Sequence, residues 1–293
     1  MRETGIFFLY LFACLVLGIL LTYPLLQAGW IVYDPHRVMG RLAQVFILLG
    51  LWPFLKAMRL NDRVALGYGI PRPGFVSTLC RGWLLGVALL LALALILLLL
   101  EIRIPDTGLD GRLTGPIAKS IQVLIGGLLT ALLEETFFRG ALYSAIRRSG
   151  GAGSAILWSS FLFMLVHFMK PHALPAGVAF DWLGTRQTFV PVFTDAFQWR
   201  HLDSMAALFL AGVLLALVRE RSGHIGWCLG LHAGWIFVIR MTRYLTDANP
   251  ASDDAWLVGD YDGIIGWLAA GWIGLLVLGL RLFTRNGERE RQA

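Results

Sequence analysis

The side chains best suited to chemistry in this sequence are ionisable groups that stand inside long apolar runs. Glu134 and Glu135 are adjacent in one such run, Arg139 follows in the same run, and His167 and His232 stand in two later runs. A charged side chain in the middle of a bilayer costs about 2.5 to 3.5 kcal/mol on insertion scales, so such residues indicate a functional site by default. Carboxylate and imidazole groups are the usual carriers of protons in acid–base chemistry.

Helix geometry separates the two glutamates. Adjacent residues on a helix point in directions about 100° apart, whereas Glu135 and Arg139 are i,i+4 neighbours in the order that favours an ion pair. We therefore expect Glu135 to be neutralised within its own helix and Glu134 to have no such partner. Glu134 shares its face with Thr130 and Gly126, small residues that let another helix approach. The alternative is that both carboxylates are structural and hold helices together.

The turn-forming residues 149–154 separate the runs that hold Glu134 and His167. Each of the two residues lies about sixteen positions from the centre of that turn, so an antiparallel hairpin would bring them to one depth. Phe163 precedes His167 by one helical turn and shares its face. We predict that His167 is an acid–base partner or a ligand; the alternative is a satisfied core histidine. A rise of about 1.5 Å per residue places His232 one to two turns nearer the cytoplasm than Glu134 and His167, a gap that helix tilt could close.

The composition of the chain places these residues in a membrane. Of the 293 residues, 57% are apolar and only 15% are charged, whereas soluble proteins have about 25% charged residues. This composition excludes an ordinary soluble enzyme and favours one membrane-embedded domain over residues 1–293. The cysteines, Cys14, Cys80 and Cys228, lack the spacing of a disulfide framework or a metal site. The basic residues lie between apolar runs, so they do not indicate a nucleic-acid partner.

The apolar runs predict an all-α polytopic membrane protein with a bundle of about eight transmembrane helices, since each crossing needs about 20 residues. The predicted spans are 6–26, 38–58, 78–100, 115–138, 154–169, 204–218, 225–239 and 263–283. They divide into an N-terminal three-helix part over 1–110, a central part over 115–240 that holds Glu134, His167 and His232, and a last transmembrane helix over 263–283 followed by the basic tail 284–293. The fifth to seventh spans are short and contain polar residues, which is typical of helices around a membrane site.

The distribution of lysine and arginine predicts the orientation of the bundle. With the N-terminus inside, fourteen cations lie in cytoplasmic segments, whereas nine lie outside together with twelve of the nineteen acids. Both termini are therefore predicted to be cytoplasmic, as an even number of spans requires. We expect an integral protein of the bacterial inner (cytoplasmic) membrane, in contact with membrane lipid.

Three motifs together give the sequence a family resemblance. They are Glu134-Glu135-x-x-x-Arg139, then Phe163-x-x-x-His167, then His232. In this order, on separate predicted spans, they resemble the CPBP family of intramembrane proteases, which is also called the CAAX-protease and bacteriocin-processing family and is related to the prenyl endopeptidases. The motifs cover about 134–236, and the first three spans add only their hydropathy.

The resemblance implies an intramembrane endopeptidase that hydrolyses a peptide bond of a membrane-associated or lipid-modified substrate. It implies that Glu134 is the general base, that His167 is its partner, and that His232 donates to the oxyanion or binds a metal. Glu135, Arg139 and Phe163 would then support these three residues. Prenylated C-terminal peptides, exported peptides with sorting tails and bacteriocin-like precursors all fit as substrates.

One position departs from the family pattern. Four residues after its last histidine the family has Asn or Asp, where this sequence has Ile236, which has no donor. Trp235 lies on nearly the same face and could supply its indole N–H. The other outcomes are weaker stabilisation of the oxyanion, or a protein that keeps the fold without the activity.

Two further alternatives stay open at the level of sequence. Glu134, His167 and His232 form a His₂Glu set, which is a hydrolytic zinc pattern, so a divalent metal such as zinc could hold the reacting water. A proton-coupled transporter or a non-catalytic membrane scaffold could instead use Glu134 and His167 as a proton relay. Such a protein would carry proton-coupled flux and cleave no peptide. Asp260 and Asp262 suggest an aspartyl membrane protease, but they crowd into one loop instead of occupying two facing helices.

Overall fold

The computed structural model of the protein describes residues 2–108, 114–175, 177–178, 180–194 and 198–292, with side chains from residue 2 to residue 282 except that of Thr114. Within these ranges the chain is almost entirely helical. The helices are α1 (Arg2–Gln27), α2 (Pro35–Ala57), α3 (Arg72–Leu99), α4 (Thr114–Glu135), α5 (Tyr143–Phe168), α6 (Trp182–Phe189), α7 (Pro191–Thr194), α8 (Leu202–Ser222), α9 (Gly226–Leu245) and α10 (Trp267–Gln292). The predicted all-α fold is confirmed.

Five described segments are long and apolar enough to cross a membrane. They are Arg2–Gln27, Pro35–Ala57, Arg72–Leu99, Gly115–Phe168 and Trp199–Ser222. The fourth of these contains both the predicted fourth and fifth spans, and α10 adds the shorter apolar helix Trp267–Leu282. The predicted seventh span, α9, forms a helix but is not among the five, because its histidine, arginines and glycines lower its hydropathy. The cytoplasmic placement of both termini stays a prediction.

The chain reverses direction within α5. Gly151 has φ 79° and ψ 176°, a left-handed conformation that glycine adopts without steric cost. On one straight helix Glu134 and His167, 33 positions apart, would lie about 50 Å from each other. Their side chains instead approach to 3.8 Å. The turn predicted over 149–154 is therefore confirmed, and it brings the end of α5 back to the end of α4.

Between α4 and α5 the helix changes type. Residues Thr136–Leu142 form a π-helix, and Phe137–Leu142 are all buried. Gly140 lies against the backbone of Leu66, where a β-carbon would come within 2.8 Å of the carbonyl oxygen. Single turns of π-helix are frequent at functional sites. Here the π-helix follows directly after Glu135 and carries Arg139.

Glycine contacts fix α9 against α3, the most extensively packed pair of helices. A β-carbon on Gly230 would lie 2.2 Å from the carbonyl oxygen of Leu79, and one on Gly86 would lie 2.5 Å from that of Leu231. Small residues of this kind let the backbones of membrane helices approach closely. The opposite side of α9 packs on α4. These contacts set where the side chains of α9 lie along α4.

A small clamp holds the loop that follows α9. Strand β1 (Arg103–Pro105) pairs in antiparallel fashion with β2 (Thr246–Ala248) directly after α9. The buried guanidinium of Arg103 donates to Thr246 Oγ1 at 2.6 Å and to the carbonyl oxygen of Gly263 at 3.2 Å. The clamp therefore fastens the 259–266 loop beside the end of α9.

Candidate active site

Glu134, His167 and His232 converge in the structure. The Nε2 atoms of His167 and His232 lie 3.8 Å and 3.9 Å from the same oxygen, Oε2 of Glu134. That oxygen is buried and accepts no hydrogen bond from the described residues. The prediction that Glu134 and His167 share one depth is confirmed. The prediction that His232 lies one to two turns nearer the cytoplasm is wrong, because the contacts of α9 with α3 and α4 decide its level.

Each imidazole is anchored through its other nitrogen. Nδ1 of His167 lies 2.6 Å from the carbonyl oxygen of Phe163, and Nδ1 of His232 lies 2.8 Å from Oε1 of Glu135. Carbonyl and carboxylate oxygens accept hydrogen bonds, so both Nδ1 atoms carry a hydrogen. In the neutral rings Nε2 is then an acceptor that faces Glu134. The site thus presents two imidazole nitrogens to one carboxylate oxygen.

Glu135 has a different environment from its neighbour. Its side chain and that of Arg139 are both 0% exposed and form an ion pair at 3.1 Å, so the predicted pair within one helix is confirmed. The same oxygen, Oε1, also accepts the hydrogen bond from His232. Arg139 in addition donates to the carbonyl oxygen of Gly212 on α8 at 3.4 Å. Glu135 therefore joins α4 to α9 and, through Arg139, to α8.

Phe163 lies at the centre of the group. Its ring centroid is 4.4 Å from the ring of His167 and 5.8 Å from that of His232. The guanidinium carbon of Arg139 lies 4.2 Å from the same ring. The face of an aromatic ring attracts a cation. Phe163 therefore contacts His167, His232 and Arg139 through its ring.

Two cavities meet at Glu134 and His167. The first, about 400 Å³, lies among α3, α4, α5, α8, α9 and α10. The second, about 260 Å³, lies among α1, α2, α4 and α5 and has mostly apolar walls. Among the described residues, four polar ones line both cavities: Gln44, Glu134, His167 and Lys170. Glu134 and His167 can therefore be reached from two sides.

The first cavity contains polar residues to which the sequence analysis assigned no role. They are Gln44, Lys170, Arg240, Arg243, Tyr261 and Asp262. Lys170 could have been found, since it follows His167 by three residues and so lies near it at the end of α5. Tyr261 and Asp262 reach the cavity only because the clamp folds their loop back, which no local pattern in the sequence predicts.

The remaining predicted positions also lie around the first cavity. Trp235 and Ile236 both line it, as does Thr130 on the face of Glu134. The helix that approaches this face is α9. Its nearest approach is at Gly127, where a β-carbon would lie 3.3 Å from Ile236, whereas at Gly126 it would lie 3.8 Å from Arg240.

Glu134, His167 and His232 have the side-chain types of a zinc site, so their spacing decides whether they fit the metal. Two ligands of a tetrahedral zinc ion lie about 3.3 Å apart when each is about 2.0 Å from the metal. The Nε2 to Oε2 distances of 3.8 Å and 3.9 Å are wider. Among the described residues, no three His, Cys, Asp or Glu side chains are grouped so that they could hold a metal ion. The residue types fit zinc, but their spacing does not.

Comparison with known proteins gives one finding. Residues 116–238 match the model of the Rce1-like family, described as type II CAAX prenyl endopeptidase Rce1-like. No curated protein and no solved structure matches the chain. The family match confirms the resemblance read from the three motifs, all of which lie inside the matched residues. It supports a CAAX-type intramembrane protease in general.

The buried pair generates a prediction about stability. Glu135→Gln leaves Arg139 without its counter-charge, and breaking a buried ion pair on one side costs about 3 to 5 kcal/mol. Thermal unfolding of the purified variant in detergent should therefore show a large loss of stability. Adding Arg139→Met should recover part of it, because the two charges are then removed together.

The matched control is Arg147→Met. Arg147 pairs with Glu220 at 3.0 Å, but the side chains are 48% and 30% exposed, and such pairs contribute about 0 to 1 kcal/mol. Equal losses in Arg147→Met and Glu135→Gln, or additive losses in the Glu135→Gln, Arg139→Met double variant, would contradict the assignment.

Proposed function

We propose that the protein is an intramembrane endopeptidase in which Glu134 and His167 activate a water molecule. The observation that carries the proposal is the convergence of two anchored imidazoles on the unpartnered oxygen of Glu134, at the junction of two cavities. Polar groups separated by more than about 3.5 Å are commonly bridged by water. A water between Nε2 of His167 and Oε2 of Glu134 satisfies both acceptors at once.

The reaction begins when this water attacks the carbonyl carbon of the substrate. Its oxygen bonds to that carbon, the carbonyl electron pair moves to the carbonyl oxygen, and the water proton passes to Glu134. When the tetrahedral intermediate collapses, the carbonyl re-forms and the carbon–nitrogen bond breaks. The proton on Glu134 then passes to the leaving nitrogen. His167 holds the water in line through Nε2, since its Nδ1 is fixed on the backbone.

Glu135 keeps His232 in place while the oxyanion forms. Before the substrate binds, Nε2 of His232 takes up a proton from water and keeps it throughout the reaction, and Glu135, which accepts from Nδ1, lies next to the resulting imidazolium. That Nε2–H donates to the oxyanion from the wall of the first cavity. Glu135 and Arg139 act on the reaction only through His232 and Phe163.

The proposed substrate is a peptide held in the membrane, of the CAAX type that the family match indicates. The two cavities give such a chain a path on either side of Glu134. The second cavity is lined mainly by apolar side chains of α1, α2, α4, the π-helix and α5, so we assign it to an apolar part of the substrate. The first cavity, with its lysine and arginines, takes the polar part.

Replacing Glu134 with Gln tests the proposal. Glu134→Gln keeps the shape of the side chain and removes the base, so turnover should fall by about 10² to 10⁴ while the fold survives. The measurement compares newly formed peptide termini, by mass spectrometry, in membranes of cells that express either the wild-type protein or the variant. Fragments should be present with the wild type and absent with the variant.

Gln122→Glu is a control for a charge change on the same helix, since Gln122 contacts Lys119 and does not line either cavity. It should give the wild-type fragments. Fragments that form equally with Glu134→Gln would end the proposal, and so would their absence from the wild-type membranes. A transporter or scaffold predicts the second result.

Zinc dependence stays a separate prediction. If the reaction needs zinc, purified protein should contain about one equivalent by elemental analysis, and His167→Ala should lose it. The spacing of the three side chains leads us to expect less than a tenth of an equivalent in wild-type protein and full activity after chelation. Chelation that removes activity, with recovery by added zinc, would contradict the metal-free mechanism.

A further inference from the structure

Ile236 leaves the proposed site without one polar donor. The CPBP family, which this sequence resembles, has an amide or carboxyl side chain at this position. Here the side chain is an alkyl group that lines the first cavity. His232 can donate from Nε2 only after a second proton has reached its ring, because Nδ1 already holds the first against Glu135. A donor that always carries hydrogen would serve the oxyanion better.

Lys170 is such a donor. It lines both cavities together with Glu134 and His167. An ammonium group has three N–H donors and no acceptor. Desolvation lowers the pKa of Lys170, and the charges of Glu134 and Asp262 partly oppose this lowering. Glu134 has the largest of the charge effects, so Lys170 and the proposed base interact electrostatically.

Tyr261 fixes the position of this ammonium group. Nζ of Lys170 donates to the hydroxyl oxygen of Tyr261 at 2.5 Å and lies 4.3 Å from the centre of its ring. Burial raises the pKa of Tyr261, so the phenol stays neutral and the contact is a hydrogen bond with a cation–π component. Tyr261 also packs on Phe168, with ring centroids 5.0 Å apart.

We propose that Lys170 is a further catalytic residue. Its ammonium donates a hydrogen bond to the oxyanion and so replaces the donor that is missing at position 236. The inference rests on the proposed protease function. As water adds to the substrate, the carbonyl electron pair moves to oxygen, and Lys170 meets the new charge without giving up a proton. Tyr261 is a positioning residue, since it holds one of the three N–H groups and leaves two for the substrate.

The test uses purified full-length protein and a synthetic peptide that spans a Glu134-dependent cleavage site from the membrane comparison. Lys170→Met should lower kcat by about 10² to 10³, the usual effect of removing one oxyanion donor. KM should change by less than about threefold, because the contact forms in the transition state. Lys170→Arg, which keeps a cationic donor, should retain more than a tenth of kcat.

The matched control is Lys119→Met. Lys119 is another of the three lysines in the sequence, and its Nζ also lies over a tyrosine ring, 5.8 Å from that of Tyr244, but it lines neither cavity. Its kcat should equal that of the wild type. Gln44→Leu tests the amide side chain that also lines both cavities, and it should lower kcat less than Lys170→Met does.

Chemical rescue separates donation from a structural role. In a Cys80→Ser background, which removes the exposed cysteine, Lys170→Cys should be as slow as Lys170→Met. Alkylation with 2-bromoethylamine rebuilds an ammonium at nearly the same distance and should raise kcat at least tenfold. Iodoacetamide, which adds a neutral group, should not.

Three results would overturn the proposal: Lys170→Met with kcat within threefold of the wild type, a loss confined to KM, or no recovery after aminoethylation of folded Lys170→Cys. A loss in Gln44→Leu that exceeds the loss in Lys170→Met would also overturn it, by assigning the donor to the amide. Absence of any Glu134-dependent cleavage site is a failure of the protease function itself and is seen before these variants are made.

Discussion

The site depends on one buried carboxylate, that of Glu135, which binds both Arg139 and His232. Its Oε1 accepts from Arg139 at 3.1 Å and from His232 at 2.8 Å, with no part of the side chain exposed. A charge in such surroundings is tolerated only when it is paired and hydrogen-bonded, so the helices that carry its partners must meet at this point. Glu135 thereby fixes α9 against α4 and orients the imidazole of His232. Glu134, one position earlier, points into the cavities without such a partner.

The difference between the adjacent glutamates is a matter of direction, and the fold around them preserves it. The reversal at Gly151 brings His167 to Glu134, and the glycine contacts between α3 and α9 bring His232 to the same oxygen. Each histidine is held at Nδ1 and directs Nε2 inward. Glu134 therefore faces the two cavities, whereas Glu135 is buried and bonded to Arg139 and His232.

Much of this arrangement could be predicted from local rules. The i,i+4 order of Glu135 and Arg139 predicted their ion pair, and the glycine-rich turn predicted the shared depth of Glu134 and His167, since both depend on spacing along one chain segment. The level of His232 could not be predicted in this way. Counting residues from a loop gives a position along a helix, but the position of one helix along its neighbour depends on packing, here on Gly86 and Gly230.

Residues from distant loops were hardest to predict. Tyr261 and Asp262 belong to an acidic loop that reads as a connection, and they line the cavity because Arg103 fastens that loop to the end of α9. Gln44 belongs to α2, whose sequence shows only an apolar helix with one amide. Lys170 is the exception, because its spacing from His167 is a local signal. The sequence pattern thus predicts Glu134, His167 and their helices. The positions of Gln44, Tyr261 and Asp262 beside them follow from tertiary contacts.

If Glu134, which faces the cavities, is the base, formate should restore activity to a variant that lacks its carboxylate. Formate restores a missing carboxylate only where it can enter. The measurement is the rate of peptide cleavage by Glu134→Ala and Glu135→Ala as formate is raised, each relative to its own rate without formate. The cleavage rate should recover in Glu134→Ala, because position 134 opens onto a cavity of about 400 Å³. It should not recover in Glu135→Ala. Recovery in Glu135→Ala alone would contradict it.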